Sequence, residues 1–162
     1  MKRIFLTFLM ALMVIVSHAD ERMFFISRSV NANIVCYDAR LKNGQLDMKS
    51  PVHVYWHNNC KRKGEEYELT FFQRKMAYGY DVKKKGANYV DIKLTAYDER
   101  MITVMKHNGH WISKVNISGK PCALKEIKVK TKPSNSMSVE YIILVGKSLA
   151  DGSTVTEKII NK

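Results

Sequence analysis

The sequence predicts a mainly β fold. The expected architecture is an antiparallel up-and-down meander of about nine strands, forming a lipocalin-like barrel or a two-sheet sandwich, with one short helix. Three observations predict it. Apolar and polar residues alternate with period two over 89–96, 111–117 and 137–145, in runs rich in β-branched and aromatic side chains. Asn43-Gly44, Asn108-Gly109 and Asp151-Gly152 interrupt such runs, and these pairs tolerate the positive φ angles of tight hairpin turns. One segment, 68–80, departs from the alternation and carries helix signals instead.

The elements follow in chain order. Residues 1–19 read as a secretory leader: Lys2 and Arg3, an apolar run from Ile4 to Val16, then Ser17-His18-Ala19 with small residues placed for cleavage. The run is short for a membrane span, and no second apolar stretch is long enough to cross a bilayer. The expectation is an exported chain, periplasmic or extracellular, whose residues 20–162 form one β-rich domain. Strands are expected near 23–28, 33–41 and 46–57. A helix is expected near 70–78, because Thr70 and Gln73 have capping-box spacing, Phe72 and Met76 lie four apart, and Gly79 is placed to end the element in a left-handed conformation. Six strands follow, near 88–96, 100–107, 110–118, 122–131, 137–145 and 153–160. In this meander Val90, Ile92, Leu94 and Ala96 share a face, as do Trp111, Val115 and Ile117, and Met137, Val139, Tyr141, Ile143 and Val145. Ser118-Gly119 and Pro133-Ser134-Asn135-Ser136 supply weaker turns, and a further bend is expected near Tyr97-Asp98-Glu99. A meander must cover its apolar face and protect its edges, and closing the sheet does both.

The chain has 27 basic and 15 acidic residues. The leader holds two of the basic residues and none of the acidic ones, which leaves +10. A basic surface suits an anionic or amphipathic partner. Export argues against nucleic acid and leaves lipid headgroups, acidic glycans and acidic proteins. Lys128, Lys130 and Lys132 form a ladder on one strand face, and Lys61-Arg62-Lys63 and Lys83-Lys84-Lys85 read as exposed loops around the helix. Three cysteines allow three single bridges. Cys36 falls in a strand and reads as a small buried hydrophobe, while Cys60 and Cys122 lie beside loop signals and form the favoured pair.

The segment "VHVYWHNN" (52–59) carries the densest chemistry. Val52, Val54 and Trp56 share the core face, and His53, Tyr55 and His57 share the other. At ~3.3 Å per residue the two histidine Cα atoms stand about 13 Å apart, too far for one metal ion. A row of imidazole and phenol groups on a groove wall suits ligand binding through hydrogen bonds and stacking. Arg74 adds a bidentate partner for carboxylate or phosphate, and Tyr78 a hydroxyl beside it. His53, Tyr55, His57, Arg74 and Tyr78 are therefore the candidate ligand-binding residues. His107 and His110 flank a two-residue turn and face each other with Cβ atoms about 5 Å apart. That spacing permits shared metal binding, but no third ligand is evident, so no metal or other cofactor is expected. No nucleophile elbow, HExxH, P-loop or GxGxxG occurs.

The pieces "FFISRSVNANIVCYDARL", "PVHVYWHNN", "ELTFFQRKMAYGYDV", "WISKVNISGKPCALKEIKV" and "SVEYIILVG" span nearly the whole chain after the leader. In these pieces the sequence resembles exported bacterial proteins classed under domain of unknown function 4833. The resemblance implies export and carries over no catalytic residue. The functional expectation is a non-enzymatic binding or structural module of the bacterial envelope. Its alternative is a hydrolase or isomerase working through a His/Tyr/Arg pocket.

Overall fold

A computed structural model describes residues 20–160. The expected leader, 1–19, lies outside the described residues. The chain is mainly β, with a curled mixed sheet forming a half-barrel and one short helix, as the alternation requires.

The first half supplies β1 (Glu21–Arg28), β2 (Asn31–Ala39), the small hairpin β3 (Leu41–Lys42) and β4 (Gln45–Leu46), then β5 (Val52–His57) and β6 (Glu66–Glu68). A helical segment follows. It has one turn of α1 (Phe71–Gln73) and then a π-helical turn, Arg74–Tyr78. The second half runs β7 (Tyr80–Lys85), β8 (Tyr89–Leu94), β9 (Tyr97–His107), β10 (His110–Ile117), β11 (Lys120–Lys132), β12 (Asn135–Ser148) and β13 (Thr154–Ile160). From β8 onward each strand pairs antiparallel with the next, which is the expected meander. Two of its turns use the chemistry the sequence offers: Asn108 and Ser118 take positive φ beside a positive-φ glycine, as Asn43 does in the β3–β4 hairpin.

β11 organises the sheet. On one side Lys120–Ala123 pair with β10, and Glu126–Val129 pair with β1. β12 runs along the other side. The main path is therefore β6-β5-β2-β1-β11-β10-β9-β8-β7, with β12 and β13 branching from β11. The β1–β11 pairing is parallel, which no tight turn produces. The Lys128–Lys132 ladder thus sits on a heavily paired strand, not on an edge. One edge is β7, where Lys83, Lys84 and Lys85 belong to a strand and not to the expected loop. Charged side chains on an edge strand discourage pairing with another chain.

The core lies inside the curl. Val35, Tyr37, Val52, Val54, Val90, Ile92, Ile102, Val104 and Ile117 are buried there. Phe24 and Tyr37 stack at 4.3 Å between ring centroids, and each fully buried aromatic of this kind contributes roughly 1.5–3 kcal/mol. β12 departs from expectation. Its core face is Ile142, Leu144 and Gly146, not the Met137–Val145 set. The run Tyr141–Val145 is apolar at both parities, so alternation alone does not choose a face. Packing chooses it: a Cβ on Gly146 would stand 2.6 Å from Ile117 Cδ1. Tyr141 faces outward, with Lys158 Nζ 3.9 Å from its ring centroid.

Candidate functional site: a polar brace and an apolar groove

The strand chemistry of 52–57 places His53, Tyr55 and His57 on one face of β5, as expected. That face is not an open wall. Tyr55 is buried, and the β2 residues beside it, Cys36 and Asp38, are buried too. The Tyr55 hydroxyl donates to Asp38 Oδ2 at 2.8 Å and accepts from Arg22 Nη2 at 2.6 Å. Arg22 Nε also donates to Asp38. Burial and the bond to Asp38 push the Tyr55 phenol well above its ordinary range. Burial likewise pushes the Cys36 thiol up to about 11, which leaves it a poor nucleophile.

His53 meets a second set of charges. Its Nε2 lies 2.6 Å from Glu68 Oε1, and its Nδ1 lies 3.4 Å from Asp20 Oδ2. The other Glu68 oxygen accepts from Arg74 Nη2 at 2.6 Å. The His53 hydrogen bond, with help from Arg74, holds the Glu68 carboxyl below its usual range. His57 stands apart, with Nδ1 3.5 Å from Glu66 and no hydrogen-bond partner. His53, Tyr55 and Arg74 do share one face, but their polar atoms engage protein partners. The cluster braces β1, β2, β5, β6 and the π-turn.

Tyr78 is the candidate that lies elsewhere. Its main-chain carbonyl accepts from the Tyr37 hydroxyl at 2.8 Å, and its ring meets Trp56 edge-on at 5.2 Å. Its hydroxyl accepts from Arg28 Nη1 at 3.2 Å. It is positioned by the helical segment, whose start is the expected capping box between Thr70 and Gln73. The expected left-handed Gly79 is corrected: its φ is −71°. Glycine is needed there for space, because a Cβ would stand 2.1 Å from the Arg74 carbonyl oxygen.

Tyr78 lines a groove of about 700 Å³. Ile26 and Arg28 of β1, Ile127 of β11, Ile142 of β12 and Ile159 of β13 form much of its wall, and Met76 covers it from the π-turn. Two polar features break this apolar lining. Arg28 uses donors on Tyr78 and on the Ser136 carbonyl, and three of its five N–H groups have no partner among the described residues. The Tyr97 hydroxyl, also at the groove, is buried without a hydrogen-bond partner, and burial raises its pKa. Asp98 and Glu99 follow it on β9 and line the same groove. The volume and the few polar groups suit an amphipathic small molecule. Sequence reasoning missed Arg28 and Tyr97. Neither sits in a motif, and only long-range pairing brings β1 to this side of the meander.

His107 and His110 are paired directly across their turn, as expected. His110 Nδ1 is 2.8 Å from Glu21 Oε1. The expected Cys60–Cys122 bridge is corrected: both thiols are free, as is Cys36. Cys60 is exposed beyond β5, whereas Cys122 points into the core against β12.

Neither a curated protein nor a solved structure matches this chain. The family described as domain of unknown function DUF4833 matches residues 24–158, a span that holds most of the brace and of the groove but leaves out Asp20, Arg22, Ile159 and Ile160. On that match the chain belongs to the DUF4833 family.

Proposed function

We propose that this protein is an exported, non-enzymatic binding module of the bacterial envelope that holds an amphipathic, anionic ligand in the β1–β11–β12–β13 groove. The leader-like residues 1–19 and the basic composition support export and an anionic partner. The observation that carries the reading is a pair of polar groups in an apolar wall: the Arg28 guanidinium, with donors to spare beyond Tyr78 and Ser136, and the buried, unpartnered Tyr97 hydroxyl. A buried hydroxyl without a partner is costly, and a ligand acceptor would satisfy it. The apolar body of the ligand would lie along Ile127, Ile142 and Ile159, with its anionic head toward Arg28.

Anilinonaphthalene sulfonate, an apolar ring system with an anionic head, is a suitable probe. The expected result is saturable fluorescence enhancement, displaced by oleate and weakened by Arg28→Gln. Ala96→Trp, which fills the groove from its exposed rim, should abolish it. Unsaturable binding, or equal binding by all three proteins, would overturn the reading.

A further inference from the structure

The helical segment before β7 displays what a soluble surface normally hides. Phe71 is 72% exposed, Phe72 75% and Met76 69%. Across the groove Met137 is 83% exposed and Ile160 67%. Single exposed apolar residues are ordinary, but Met76, Met137 and Ile160 border one opening, and Phe71 and Phe72 stand on the same helical segment as Met76. Phe71 and Phe72 are held outward by rigid geometry. Their helix start is locked by the capping box, and the π-turn behind them closes on Gly79 with no spare volume. The two rings sit edge to face at 6.3 Å, so they project as a wedge and enclose no pocket.

The surrounding charge selects a partner. Lys75 Nζ lies 5.7 Å from the Phe71 ring centroid, and Lys132 stands on the hairpin that carries Met137. Glu68, the acid nearest along the chain, is engaged by Arg74 and His53. Asp98 and Glu99 lie on the groove's β8–β9 side. Aromatic and thioether side chains beside long cationic stems match the boundary of an anionic bilayer. There the rings reach the acyl region while the amines stay at the headgroups. A second copy of the chain would bring the same cations face to face.

We infer that the face formed by Phe71, Phe72, Met76 and Met137 docks this protein peripherally on an anionic membrane surface. Among the described residues no helix is long and apolar enough to cross a membrane, so the contact is interfacial. The inference rests on the exposed face and does not require the groove to hold a ligand.

The test is co-sedimentation of the chain from Asp20 onward with vesicles of phosphatidylcholine alone or mixed with phosphatidylglycerol. Binding should require the anionic lipid and weaken with added salt. The Phe71→Ser/Phe72→Ser double variant should lose about tenfold in partitioning, since each side chain is exposed and contributes interfacial area. It should keep its circular dichroism melt and its anilinonaphthalene sulfonate binding, which separates this test from that of the groove. Absence of binding to anionic vesicles, or an unchanged double variant, would overturn the inference. So would a vesicle-free dimer that the double variant dissolves, because the face would then belong to a second copy.

Discussion

Gly79 donates its amide hydrogen to the Arg74 carbonyl at 2.9 Å, and the same oxygen lies 2.1 Å from where a Cβ on residue 79 would sit. The bond that closes the π-turn is thus also the contact that excludes every side chain larger than hydrogen. The backbone at 79 is ordinary, with φ −71°. Glycine is required by space alone. The turn it closes sets Tyr78 against Arg28, Tyr37 and Trp56, so this contact governs one wall of the groove.

Gly79→Ala should therefore destabilise the protein by about 1–3 kcal/mol, the range for overpacking a tight contact. Urea unfolding followed by far-ultraviolet circular dichroism measures it. The shift of the π-turn should also weaken anilinonaphthalene sulfonate binding. A neutral substitution would show that the turn relaxes freely and does not hold Tyr78 in place.

Tyr97→Phe should separate stability from binding. Removing a buried hydroxyl that has no protein partner relieves a desolvation cost, so the variant should gain about 0.5–1 kcal/mol in urea unfolding. If that hydroxyl donates to the bound ligand, the same change should weaken probe binding about three- to tenfold, the worth of one neutral hydrogen bond. A loss of stability would mean that the hydroxyl has a protein partner after all.

Much of the fold was legible because its signals are local. The β8 alternation appears in the structure as strict inside-outside burial, and the Asn-Gly and Ser-Gly turns take the positive φ their residues tolerate. The capping box of Thr70 and Gln73 forms both of its bonds. What stayed hidden depends on distant partners. β7 has Val82 as its one aliphatic residue among lysines, and only backbone pairing with β8 makes it a strand. The parallel β1–β11 pairing leaves no local trace, yet it brings Arg28 toward the groove. The shared face of His53 and Tyr55 was readable from period two. That Glu68 and Asp38 engage those groups was not, since either carboxylate could equally have faced water.

Arg100 and Glu157 should give stability a measurable acid dependence. Both Glu157 oxygens accept from the Arg100 guanidinium, and one also accepts from the Ser118 amide, tying β13 to β9 and to the β10–β11 turn. The Arg100 hydrogen bonds, then that of Ser118, lower the Glu157 carboxyl to about 2 from an ordinary 4.5. A depressed folded-state value means that the contribution is complete above pH 4.5 and disappears as pH falls toward 2. The pair is about a quarter open to solvent, so screening leaves about 1 kcal/mol. Glu157→Gln should cost that amount at neutral pH and little near pH 2, read as the difference between two urea titration series. A constant difference across pH would show that the ionised carboxylate is not what matters.

The three thiols should react in an order set by burial. Cys60 is exposed, whereas Cys36 and Cys122 have no accessible surface. Burial raises the pKa of both hidden thiols, that of Cys36 to about 11, which further suppresses the reactive thiolate. An aromatic disulfide reagent added to the native protein should therefore label Cys60 quickly and leave the other two until denaturant is added. Cys60→Ser should remove the fast phase without changing stability, since Cys60 lies outside the core. If the native protein, purified without reductant, showed no fast thiol and a mass lower by two hydrogen atoms, a disulfide would join Cys60 to a core cysteine. β11 would then have to turn Cys122 out of its place beneath Gly146, or β2 would have to release Cys36. Either change would disrupt the strand pairing on which the groove depends.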